Sequence, residues 1–231
     1  MRIEKTSVAL ALVAVASCYN PKPDIERFRP QAEKKLAAMA SAGRNAQQLP
    51  PITRDALTFA EPSKLRFMQN VEVVHIEELS DIGSTHIFDR VVSNVDFWGV
   101  PLMLMKGGRA RGKKPWVEAA FQRLINLEYL VIIRTRYYKR ADTADKKTFQ
   151  PGSYSGEAVL CEIVEGRTCY GGFRFDADSS SEVKAYVSGD KRTQERDRYR
   201  AVRGDLEKRA QAAFRGKLKQ YLPGATFPSY W

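Results

Sequence analysis

A chain of 231 residues has room for one large or two small domains and lies well above the size at which a single core becomes marginal. Hydrophobic residues at 43% and charged residues at 28% exclude a disordered or collagen-like polymer. Thirty-eight Lys and Arg against 27 Asp and Glu give a formal charge of +11, which points to an anionic partner, nucleic acid among them.

The first eighteen residues redirect that reading. Met1-Arg2-Ile3-Glu4-Lys5 carries two basic residues, and an apolar stretch of about ten follows from Val8, ending in small residues. It falls short of the roughly 18 apolar residues that a spanning helix needs, and no later stretch approaches that length. Val15-Ala16-Ser17-Cys18 closes it with an aliphatic residue, two small residues and a cysteine. This resembles the lipobox of bacterial lipoprotein precursors. The resemblance implies that residues 1–17 are a signal peptide removed by signal peptidase II. Cys18 would then carry a thioether-linked diacylglyceryl group and an acylated amine. Two or more acyl chains anchor stably where one is marginal. The competing reading is a soluble secreted chain, cut after Ala16 at Ala14-Val15-Ala16. Tyr19 is not the Asp that holds enteric-type lipoproteins in the inner membrane, so the expected place is the outer membrane, facing the periplasm. In the cell envelope the basic surplus points to anionic lipid, polymer or protein, and nucleic acid is disfavoured.

Asn20-Pro21-Lys22-Pro23 completes a tether over 18–23, and residues 24–231 read as a single globular domain. A helix is predicted over 24–42 and ends before Pro50-Pro51. Residues 71–76 read as a strand, with Val71, Val73 and His75 on one face and Val74 and Ile76 on the other. Strands are also expected over 84–93 and 95–105. Pro115 suits the first position of a helix to Ile125, with Trp116, Ala120, Phe121 and Leu124 facing inward. Leu127 to Tyr138 is a strand by its aromatic and β-branched content. Three more strands are expected over 153–164, 168–176 and 181–188. A final helix over 192–222 places Tyr199, Val202, Leu206, Ala210, Ala213, Leu218 and Leu222 on one stripe before Pro223-Gly224. The predicted class is α+β: a mainly antiparallel sheet with a short helix and a long C-terminal helix packed on it.

Strand parity carries an expectation about the other two cysteines. A three-residue loop at Val164-Glu165-Gly166 pairs Cys161 directly with Cys169, and Gly166 then stands where such a loop needs a left-handed residue. It gathers Val159, Cys161, Ile163, Cys169, Phe173 and Phe175 on one face and leaves Glu162, Arg174 and Asp176 outside. A Cys161–Cys169 disulfide is expected, against the alternative of two buried thiols.

The remaining motifs are weak as chemistry. Gly107 to Lys113 fits part of a P-loop, but Lys114 stands where a Ser or Thr must hold magnesium. His75 and His86, with Glu77, Glu78 and Asp89, lack the helical spacing of a zinc pair. Gly152-Ser153-Tyr154-Ser155-Gly156 puts Tyr where a nucleophile elbow needs Ser. No catalytic residue, metal ligand or cofactor is expected. Charge is the positive signal: Lys106, Arg109, Arg111, Lys113 and Lys114 form a basic loop, and residues 191–219 hold eleven basic residues against four acidic. A solvated helix face is the plain alternative. The order of strand, helix, strand and hairpin is similar to small α/β domains of outer-membrane assembly and cell-wall-regulator lipoproteins, which implies protein-interaction work. The expectation is a lipid-anchored envelope protein with a binding or structural role. The alternatives are a hydrolase or metal enzyme with a scattered site, and a carrier of an apolar ligand.

Overall fold

The computed structural model describes residues 20–80, 99–107, 114–142, 150–163, 168–185 and 189–229. In chain order these form α1 (Lys22–Gln48), β1 (Ala56–Leu57), a 3-10 turn (Pro62–Lys64), β2 (Val71–His75), α2 (Ile76–Ser80), α3 (Gly99–Met105), α4 (Lys114–Ile125), β3 (Tyr129–Lys139), β4 (Ser153–Glu162), β5 (Cys169–Asp178) and α5 (Lys191–Tyr221). The five strands make one sheet in the order β1-β5-β4-β3-β2. β2 runs parallel to β3 and every other pair is antiparallel, so the α+β sheet is mixed. The parallel pair arises because the chain leaves β2 through α2, α3 and α4 before it enters β3.

Both faces of the sheet are covered. On one, Val74, Leu130, Ile132, Val159 and Cys161 pack under Phe28, Leu36 and Met39 of α1, Leu104 of α3 and Phe121 and Leu124 of α4. On the other, Val73, Val131, Ile133, Leu160, Phe173 and Phe175 pack under Leu206, Ala210, Phe214 and Leu218 of α5. Alternation over Tyr129–Arg134 of β3 produces this split, with even positions facing α1 and odd positions facing α5. The four-residue spacing of Val202, Leu206, Ala210, Phe214 and Leu218 supplies the matching stripe on α5. Beyond Gly224, Thr226 exchanges backbone hydrogen bonds with Leu65 and Phe67, and Phe227 stacks on Phe67.

Several expectations change. α1 begins at Lys22, inside the expected tether, and continues to Gln48, and Gly43 lets it lie against α2, where a Cβ would come within 2.7 Å of the Leu79 Cβ. Residues 99–105 are a helix, not the end of a strand: Leu104 is buried against the α1 layer while Met103 faces out. The expected strand 84–93 lies outside the described residues. No strand forms over 181–185, the described part of 181–188.

The hairpin expectation divides in two. Cys161 pairs with Cys169, as the three-residue loop requires, although residues 164–167 lie outside the described residues. The sulfur atoms sit at disulfide distance and the Cα atoms are 4.0 Å apart. The shared face then fails for Phe173 and Phe175, which sit on the α5 face with Ala158. Register shifts from Cys161↔Cys169 to Val159↔Gly172, so β5 carries one extra residue and every later side chain changes face. Gly171 occupies this bulge at φ +89°, and a Cβ there would lie 2.0 Å from the Ala56 carbonyl oxygen.

Candidate functional site

The described ends of the basic loop and the basic helix α5 lie on opposite sides of the sheet. Lys106 follows α3 and Lys114 opens α4; both are exposed and belong to the α1 layer. Arg109, Arg111 and Lys113 lie outside the described residues. The start of α1 is fixed to the same corner. Arg27 meets Glu118 of α4 at 3.2 Å, Arg29 donates to the Met105 carbonyl at 3.2 Å, and Phe28 stacks on Phe121. Lys114 also approaches Glu118, at 4.0 Å.

α5 presents the larger basic surface. Its first buried residue is Val202, so residues 191–201 form a helical stretch that contributes nothing fully buried to the core. Lys191, Arg192, Arg196 and Arg200 are exposed there. No acidic residue lies in the first turn, so Lys191 and Arg192 stand at the positive end of the helix dipole. That arrangement is locally unfavourable and raises the attraction for an anion. Asp190 offsets part of it by accepting the Thr193 amide at 2.8 Å, which holds its carboxyl below the usual aspartate range. Further along, Arg203 pairs with Glu207 at 2.7 Å and Arg209 with Asp205 at 3.5 Å.

A groove of about 510 Å³ lies between β5 and α5, beside Asp55, Arg174, Asp176, Gly216, Lys217 and Gln220. Asp55 organises it, accepting from Lys217 Nζ at 2.7 Å, Tyr221 Oη at 3.0 Å and the Arg174 amide at 2.9 Å. Partial burial works to raise the Asp55 pKa, but these donors, Lys217 foremost, outweigh it and hold the carboxyl below its ordinary value. With its donors inside the protein, Asp55 is a tie between the β1 entry and α5.

Sequence reasoning missed a buried pair of opposite charges. Arg134 of β3 donates to the carbonyls of Ala46, Leu49 and Pro50, capping the C-terminal end of α1. Glu157 of β4 lies opposite it in register and meets Arg134 at 2.6 Å and Arg136 at 2.9 Å. Its other oxygen accepts the Ile52 amide at 2.9 Å. Burial lowers the Arg134 pKa, which Glu157 counteracts. The available signal was an Arg and a Glu at the ends of two apolar runs, Leu130–Ile133 and Ala158–Leu160, and register was needed to join them.

The other candidates are accounted for by packing. His75 is buried at the end of β2 and its amide donates to Glu78 at 3.4 Å; His86 and Asp89 lie outside the described residues. Among the described residues no group of three His, Cys, Asp or Glu is placed to hold a metal. Tyr154 lies inside β4, bonded to Thr135, and burial pushes its pKa up to about 12, so it is a neutral phenol. The space between α5 and the sheet is occupied by the rings of Phe173, Phe175, Phe214 and Tyr221, in contact with one another. No helix among the described residues is long and apolar enough to cross a membrane. No family model and no curated protein matches the chain.

Proposed function

We propose that this is a lipid-anchored protein of the bacterial cell envelope, held in the outer membrane through Cys18, whose α5 arm binds an anionic envelope component without catalysing a reaction. The observation that carries the binding role is the placement of Lys191, Arg192, Arg196 and Arg200 on a helical stretch that precedes the first fully buried residue of α5. Such a stretch stabilises the fold little, and its basic residues gather at the positive end of the dipole. Two features of the interior fit the same reading: buried Arg134 and Glu157 are engaged in tying α1 to the sheet, and rings fill the space where an apolar ligand would lie.

The binding role is tested with the purified full chain on an immobilised acidic polysaccharide. Wild-type protein is retained and released by salt, whereas the Arg192→Glu, Arg196→Glu, Arg200→Glu variant passes through. Equal retention of the two proteins defeats the α5 assignment. The anchor is tested separately by following palmitate incorporation and membrane fractionation of Cys18→Ala, which is expected to lose both.

A further inference from the structure

We propose that the α3–α4 corner is a second membrane contact, in which Trp116 and Met103 enter the interfacial zone while Lys106 and Lys114 meet the headgroups of anionic lipid. This rests on the reading of Cys18 as the lipidated residue. Large hydrophobic side chains that remain exposed are few in the described structure, and Trp116 at 44% and Met103 at 43% fall on two helices that pack together. Neither is needed by the core. α4 turns Val117, Ala120, Phe121 and Leu124 inward, so Val117 takes the inward place expected of Trp116, and α3 turns Leu104 inward. Tryptophan favours the water–bilayer boundary, where its ring is buried and its N–H stays hydrated, and lysine beside it keeps its ammonium at the headgroups.

The position of the tether selects a membrane over a protein as the occupant. Four peptide units separate Cys18 from Lys22, so the acylated residue lies within about 14 Å of the start of α1. The first turns of α1 are fastened to this corner through Arg27–Glu118, Arg29–Met105 and Phe28–Phe121. The start of α1, to which a lipidated Cys18 would be tethered, and the exposed tryptophan therefore belong to one end of one layer. Local charge agrees. Glu118 is shared between Arg27 and Lys114, and Glu33 is paired with Arg29 at 3.4 Å. Two attachments near each other, one covalent and one by surface contact, restrict the tilt of the domain and keep the α5 face on the far side of the sheet.

The test uses the full chain, purified from membranes and reconstituted into phosphatidylcholine vesicles with and without phosphatidylglycerol, their acyl chains brominated to quench nearby indoles. Trp98 and Trp231 contribute too, so the reading is the difference between wild type and Trp116→Phe. The expected result is that wild-type fluorescence is quenched, that Trp116→Phe loses most of the quenchable fraction, and that Lys106→Glu, Lys114→Glu reduces quenching only where phosphatidylglycerol is present. Identical quenching of wild type and Trp116→Phe, in vesicles shown by flotation to carry the protein, overturns the contact. The mass of the peptide containing Cys18 is measured on the same samples. A lipidated Cys18 with an unquenched Trp116 rejects this contact alone, whereas an unmodified Cys18 with a quenched Trp116 rejects the anchor and supports the contact.

Discussion

The two faces of the sheet are held by different forces. Towards α1 the sheet carries buried charge: Glu157 with Arg134 and Arg136, and Glu72 with Arg123 at 2.7 Å. Towards α5 the described interface is a layer of aromatic rings and leucines, and its ion pair, Asp55 with Lys217, lies at the rim. The difference follows from where the helices end. α1 stops above the sheet with carbonyls that need donors, and Arg134 reaches them at the cost of a buried charge that Glu157 must balance. α5 ends at the domain edge, where Pro223-Gly224 turns the chain without help from the sheet. A buried ion pair on one side and a packed apolar seam on the other respond differently to mutation and to pH.

The sharpest way to break the contrast is Glu157→Ala. It leaves Arg134 buried without a counter-charge and is expected to lower stability by about 3–5 kcal/mol in urea unfolding. A loss under about 1 kcal/mol, the level of an exposed pair, would remove the distinction between the faces. Reduction of Cys161–Cys169 comes next. Both cysteines lie on the α1 face, and opening so short a loop is expected to cost about 2.5 kcal/mol on the chain-entropy estimate. Unfolding with and without reductant, with the mass shift of both peptides, measures it. An unchanged midpoint despite complete reduction contradicts the estimate.

The smallest effect belongs to the α5 rim. The Asp55 pKa is depressed in the folded protein, so its contribution is fully present above the unfolded value near pH 4 and is lost as pH falls through the lower folded value. Because the pair lies at the surface, the contribution is expected to stay below about 1 kcal/mol. Asp55→Asn should lower the urea midpoint slightly at neutral pH, and the gap to wild type should close in acid. A gap that widens in acid would reverse the sign.

Much of this arrangement was legible in the sequence where a local period decides the outcome. Tyr129–Lys139 declared itself by β-branched and aromatic residues, α5 by its 3-and-4 stripe, and the cysteine pair by counting residues through a turn. The pairing of Cys161 with Cys169 held, whereas the face assignment beyond the register change did not. Phe173 and Phe175 were assigned to the wrong face because one extra residue at Gly171 inverts parity, and alternation alone does not reveal a bulge. Residues 99–105 were misread because a short apolar run has no period of its own. The Arg134–Glu157 pair and the parallel β2–β3 pairing depend on contacts between distant segments. Of the basic surface, the identity of the lysines and arginines was visible, but their division between two faces of a sheet was not.

The strand order has a consequence for how the chain must assemble. The two strands that come first in the sequence, β1 and β2, occupy opposite edges, and the three later strands lie between them. A chain emerging N-terminus first therefore presents both edges before the centre that will receive them exists. β1 must wait for β5, and the stretch around Leu65 and Phe67 must wait for Thr226, close to the other end. Productive folding cannot proceed segment by segment as the chain is made, and closure of long loops makes it slow. A protein built this way is exposed to aggregation and to proteases until α5 has docked.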